Sequence, residues 1–103
     1  MAEFLMVYHG GSMQTDDEIV HEMARWGDWM NSLGGQLIEP GAPVGKLKTL
    51  SASGITDDGG ANPGSGYSIV EAESIEAVLA LIKACPRLDS GTIELAPLID
   101  MPV

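Results

Sequence analysis

Between Thr15 and Leu33, apolar side chains recur at spacings of four and three: Ile19, Met23, Trp26, Met30 and Leu33. That period places all five on one stripe of an α-helix. Thr15 stands where an N-cap is needed. Glu18, three residues on, completes a capping box, and Asp16, Asp17 and Glu18 put negative charge at the positive end of the helix dipole. Gly34 and Gly35 end the helix, because glycine takes the left-handed cap conformation at least cost.

Phe4 to His9 reads differently. Both phases of the alternation are apolar, Phe4, Met6 and Tyr8 on one side and Leu5 and Val7 on the other, as in a strand buried on both faces. Gly10 and Gly11 break it. Gln36 to Glu39 predicts a short second strand closed by Pro40, Gly41 and Pro43. Lys46 to Ser53 is a candidate hairpin arm, and Gly54 to Gly66, with five glycines, Asn62-Pro63 and Asp57-Asp58-Gly59-Gly60, predicts a loop. Tyr67 to Glu71 predicts a third strand. Ser74 caps a second helix with Ile75, Val78, Leu79 and Ile82 on one face, ended at Cys85-Pro86. Thr92 to Leu98 predicts the last strand.

The order strand–helix–strand, loop, strand–helix–strand predicts a single α+β domain over residues 1–103. Its expected topology is ferredoxin-like, βαββαβ, with an inserted hairpin or loop. Right-handed crossovers put both helices on one face of the sheet. The other face then has no cover within the chain, although the first and last strands carry apolar residues in both phases. A symmetric homodimer packing sheet against sheet resolves this.

Composition narrows the partners. The chain has 103 residues, 5 basic and 15 acidic, for a formal net charge of −10. Clustered Lys and Arg are needed to displace counterions from nucleic acid or to hold an anionic bilayer, so neither is an expected partner. Cys85 is the one cysteine, which excludes an internal disulfide and thiolate clusters. The chain's start lacks the pattern of a secretory signal, and no stretch has the length of a membrane span. A cytoplasmic protein with no metal and no cofactor is the expectation.

His9 is the candidate for chemistry: an imidazole at a strand end beside glycines that let a ligand approach the backbone, able to act as general base. The alternative is a hydrogen-bonded structural histidine, since no partner residue is evident. His21 falls opposite Ile19 and Met23 and is expected in solvent. Trp26 belongs to the core stripe, and Trp29 to its boundary, where an indole can line a cleft or an interface. Asp57, Asp58 and Asn62 could offer oxygen ligands to a hard cation, but lack the calcium-loop spacing and make turns unaided. Lys46 and Lys48 share a strand face and suggest either a small anion site or a solvated edge. Cys85 reads as packing.

Several of these stretches together are similar to the YCII-related domain family: Phe-Leu-Met-Val-Tyr-His-Gly-Gly at 4–11, Trp26-x-x-Trp29 before Gly34-Gly35, Asp57-Asp58-Gly59-Gly60-Ala61-Asn62-Pro63, Gly66-Tyr67-Ser68-Ile69-Val70-Glu71-Ala72, and Ala84-Cys85-Pro86 followed by Gly91-Thr92-Ile93-Glu94. The resemblance covers nearly the whole chain and implies a dimeric α/β barrel. Most members of that family have no established activity; a few act on small ring compounds, and some relatives are associated with sigma factors. The family's proposed catalytic His in the first helix and Asp at the first strand's end fall at about Ala24 and Gly10, which cannot do acid–base chemistry.

Three functions follow as expectations. The first is a homodimer binding a small molecule in a cleft between sheet and first helix, with Tyr8, Trp26, Trp29 and Asn62 as ligand contacts. The second is a non-catalytic regulatory or interaction protein. The third is a small-molecule lyase or isomerase with His9 as base.

Overall fold

The structure, a computed structural model, describes residues 2–10 and 15–100. Gly11 and the Ser12–Gln14 lead into the first helix lie outside the described residues. Two central strands organise the rest: β1 (Ala2–Gly10) and β5 (Gly64–Ala72) pair antiparallel from Ala2↔Ala72 to His9↔Gly64. β2 (Leu37–Pro43) flanks β5 and β6 (Gly91–Pro97) flanks β1, both antiparallel, giving the order β2-β5-β1-β6. β3 (Thr49–Ser51) and β4 (Gly54–Thr56) form a separate two-stranded hairpin. The described residues therefore form a mixed α+β fold of two α-helices and antiparallel strands.

Helix α1 (Asp16–Leu33) begins where the sequence places it. Thr15 is extended, and its Oγ1 accepts from the Glu18 amide at 3.3 Å. Helix α2 (Ile75–Ile82) starts from Ser74, whose Oγ accepts from the Ala77 amide at 3.2 Å. Both helices pack on the same side of the sheet. Trp29 and Leu33 of α1 and Val78 and Ile82 of α2 share one core with Phe4, Met6, Tyr8, Val70 and Ala72, the inward phase of β1 and β5. The Trp29 indole donates to the Leu81 carbonyl at 3.2 Å, tying the helices together.

Four expectations are corrected. The buried residues of α1 are Trp29 and Leu33, whereas Ile19 is 42% and Met23 67% exposed. The stripe is real, but only its C-terminal half lies over the sheet. The boundary tryptophan of the sequence reading is the one that is sealed. Similarly, only Val78 and Ile82 of the second helix's apolar face are buried; Ile75 and Leu79 stay exposed. The stretch 54–66 is not wholly loop either: Gly54–Thr56 is a strand, and Gly64–Gly66 opens β5. Gly54, at φ +140, makes the tight Ala52–Ser53 turn possible, and Gly66 lets β2 come close, since a Cβ there would lie 3.1 Å from the Ala42 carbonyl. β2 likewise runs on through Pro40 and Pro43, which an edge strand tolerates.

The outward phase of the sheet carries half-buried Leu5, Val7 and Ile69, with Tyr67 at 38% exposure. The β3–β4 hairpin makes no extensive contact with any other element. Its facing pair Leu50 and Ile55 is 77% and 68% exposed. The radius of gyration, 15.2 Å, exceeds the roughly 13 Å of a compact chain this long, as a projecting arm requires.

Two glycines give opposite predictions. A Cβ on Gly41, at φ +72, would stand 1.8 Å from the Tyr67 carbonyl oxygen, so Gly41→Ala must push β2 off β5. Gly27, inside α1, has open space around it. Urea unfolding should show Gly41→Ala less stable by about 2 kcal/mol or more, and Gly27→Ala more stable by about 0.5–1 kcal/mol.

Candidate functional site

The overhanging half of α1 leaves a cleft of about 370 Å³ between that helix and the β2–β5 edge of the sheet. Ile19, Met23, Trp26 and Met30 line it from the helix, Pro40 to Pro43 from β2, Gly66 and Tyr67 from β5, and Tyr8 from β1. Arg87 also lines it, contributed by the short turn Pro86–Asp89 that follows α2. Pro86 is buried at the first position of that turn, and Arg25 of α1 reaches Asp89 at 2.6 Å, which holds the turn beneath the helix.

Trp26 is the hub of the site. The Tyr8 ring meets it edge-on with centroids 5.0 Å apart, Trp29 does the same at 5.8 Å, and the Arg87 guanidinium carbon lies 5.5 Å from the centroid of its ring. Tyr8 is itself fixed from the other end. Its hydroxyl donates to Ser68 Oγ at 2.8 Å, and Ser68 Oγ donates to the Pro40 carbonyl at 2.7 Å. Burial pushes the Tyr8 phenol up to about 12, partly offset by the Ser68 hydrogen bond. At neutral pH it is an uncharged wall. Burial likewise raises the Cys85 thiol to about 11, so that it stays protonated and unreactive.

The structure divides the residues singled out from sequence between two places. Tyr8 and Trp26 line the cleft. Trp29 lies behind Trp26 in the core, its N–H satisfied by Leu81. His9 follows Tyr8 in the strand and so points to the opposite sheet face. There its Nδ1 donates to the Asn62 carbonyl at 2.9 Å, and its Nε2 lies 2.5 Å from Glu94 Oε1. That second contact is close but lacks the alignment of a hydrogen bond. His9 is only 7% exposed. The ring clamps the segment before β5 onto β1 and β6, and Asn62 takes part through its backbone.

The remaining candidates are ordinary surface chemistry. His21 is exposed, Asp58 accepts from the Gly60 amide in a turn at 3.1 Å, and Lys48 pairs with Asp57 at 3.2 Å. Among the described residues no group of His, Cys, Asp and Glu is placed to hold a metal ion. None of their helices is long and apolar enough to cross a membrane. Arg87 is the charged cleft residue that sequence reasoning missed. Its signal was faint: a rare cation directly after the helix-stopping Cys85-Pro86.

No family model matches this chain, and no curated protein matches it either.

Two measurements test these assignments. His9→Ala should lower stability by about 1–3 kcal/mol through a lost buried hydrogen bond and a cavity, and leave the cleft intact by Trp26 emission. Both Tyr8 and Cys85 hold a proton in the folded state beyond the pH at which the unfolded chain releases it. Stability is therefore full below pH 9 and is lost as pH rises, from 9 to about 11 for Cys85 and from 10 to about 12 for Tyr8. Each group contributes a slope of at most about 1.4 kcal/mol per pH unit. Tyr8→Phe should flatten the upper part of that decline in alkaline urea titrations.

Proposed function

We propose that this chain is a homodimeric small-molecule-binding domain of ferredoxin-like topology, related to the YCII-related family, acting in the cytoplasm. The observation that carries the binding reading is the cleft itself: apolar, aromatic-walled, bounded by fixed side chains, and within the size range of small-ligand sites, roughly 300–1,000 Å³. Its walls are preorganised by the Tyr8–Ser68–Pro40 chain, so a ligand would meet little ordering cost.

Homodimerisation is supported by coverage. Leu5, Val7, Tyr67 and Ile69 on the outward face, and Leu50 and Ile55 on the arm, are apolar surfaces that a second copy would bury. The motifs quoted from the sequence are what supports the family relation. The strand order β2-β5-β1-β6 with both helices on one face suits the topology.

A regulatory or interaction protein is the second reading, and the exposed Leu50–Ile55 pair is what favours it. The lyase or isomerase reading, with His9 as base, draws no support from the cleft, because His9 lies across the sheet from it.

A thermal-shift panel of small organic metabolites tests the leading reading. A ligand at 100 times its dissociation constant adds about 2.7 kcal/mol of stability. Met23→Glu, a change at a residue 67% exposed, should abolish such shifts while keeping the fold. A panel without shifts, or shifts indifferent to Met23→Glu, contradicts the cleft. Sedimentation at micromolar concentration should give twice the 10.8 kDa protomer mass; a 10.8 kDa species contradicts the dimer.

A further inference from the structure

The basic residues of this chain are few, and acidic ones outnumber them 15 to 5. Among the described residues, Arg87 nevertheless has no carboxylate within ion-pair distance. The ion pairs of Lys and Arg among the described residues are Arg25–Asp89 and Lys48–Asp57. Its Nε is buried and has no hydrogen-bond partner among those residues. A buried guanidinium nitrogen left unpaired costs free energy, whereas the same group on a surface costs nothing. Here it is set into the wall of the apolar cleft, beside the Trp26 ring.

We propose that the cleft binds an aromatic monocarboxylate, its carboxylate held by Arg87 and its ring lying among Trp26, Tyr8 and Met30. This rests on the cleft being a ligand site, and adds the ligand's class. A guanidinium is a rigid planar fork that matches a carboxylate through two parallel hydrogen bonds, and stacking on Trp26 holds the fork before the ligand arrives. Apolar and aromatic side chains dominate the rest of the lining, which suits a ring rather than a sugar or a phosphate ester. The Tyr8 hydroxyl is committed to Ser68, so that residue offers a ring face or edge.

Glu22 sets the charge limit. Among the described residues it is the one carboxylate in the lining; it lies one helical turn before Trp26 and is outside ion-pair distance of Arg87. A second anionic group on the ligand would face it, so dicarboxylates and phosphates are disfavoured. A hydroxyl or amino substituent on the ring could instead donate to it.

Titration of Trp26 emission with benzoate, benzamide and phenyl phosphate tests the class, in wild type, Arg87→Gln and Arg87→Lys, each checked for fold by circular dichroism and melting temperature. Benzoate should saturate and bind at least about tenfold more tightly than benzamide or phenyl phosphate. Arg87→Gln should erase that advantage while leaving benzamide affinity unchanged, and Arg87→Lys should restore part of it. Benzamide binding as well as benzoate, or benzoate binding indifferent to Arg87→Gln, overturns the carboxylate class and leaves the cleft standing. If none of the three ring compounds alters Trp26 emission, both the class and the cleft reading are overturned. Should Arg87→Gln fail to fold, 1 M sodium chloride on the wild type replaces it: benzoate affinity should drop toward that of benzamide, and equal insensitivity of both overturns the class.

Discussion

A chain of two hydrogen bonds through the sheet's inner face holds the rest in place. Tyr8 on β1 donates to Ser68 on β5, and Ser68 donates to Pro40 on β2. Three strands are joined by side chains at a point where β2 pairs irregularly, with register shifts on either side of Glu39. The Tyr8–Ser68 bond is buried, where a satisfied pair strengthens its neighbour and a broken one leaves a polar group unpaired, and the Ser68–Pro40 bond is part-buried. The Tyr8 ring is thereby fixed. Trp26 leans on it, and Arg87 lies beside Trp26, so the geometry of the cleft descends from one buried hydroxyl.

That dependence explains why α1 behaves as two half-helices. Its C-terminal half follows the usual rule, sinking Trp29 and Leu33 into the core with Val78 and Ile82. Its N-terminal half stands over the irregular edge of β2, where the sheet offers no flat surface to receive Ile19 and Met23. Apolar side chains that would normally be covered by sheet instead wall a cavity.

How much of this could be read from residues alone differs by element. Caps were legible because they are local: Thr15 with Glu18 and Ser74 with Ala77 need only three-residue spacing. The stripe on α1 was legible as a stripe, but a period of 3.6 does not say how far along the helix the sheet extends. Tyr8 and His9 looked like neighbours in one site, although strand alternation sends them to opposite faces. The arm strand β4 was hidden because Gly54-Ile55-Thr56 sits in a glycine- and aspartate-rich stretch, and its partner is three residues long. Arg87 was illegible for a different reason. The contact that gives it meaning, with Trp26, spans sixty-one positions of the chain and exists only once the Pro86–Asp89 turn is docked under α1.

The two tryptophans, three residues apart on one helix, have opposite fates. Incorporation of 5-fluorotryptophan, with Trp26→Phe and Trp29→Phe for assignment, measures this by the fluorine solvent-isotope shift between H2O and D2O. Trp26 should show a clear shift as the wall of an open cleft, and Trp29, sealed behind it, should show almost none. Equal shifts for both, or the reverse order, would contradict the cleft and everything built on it.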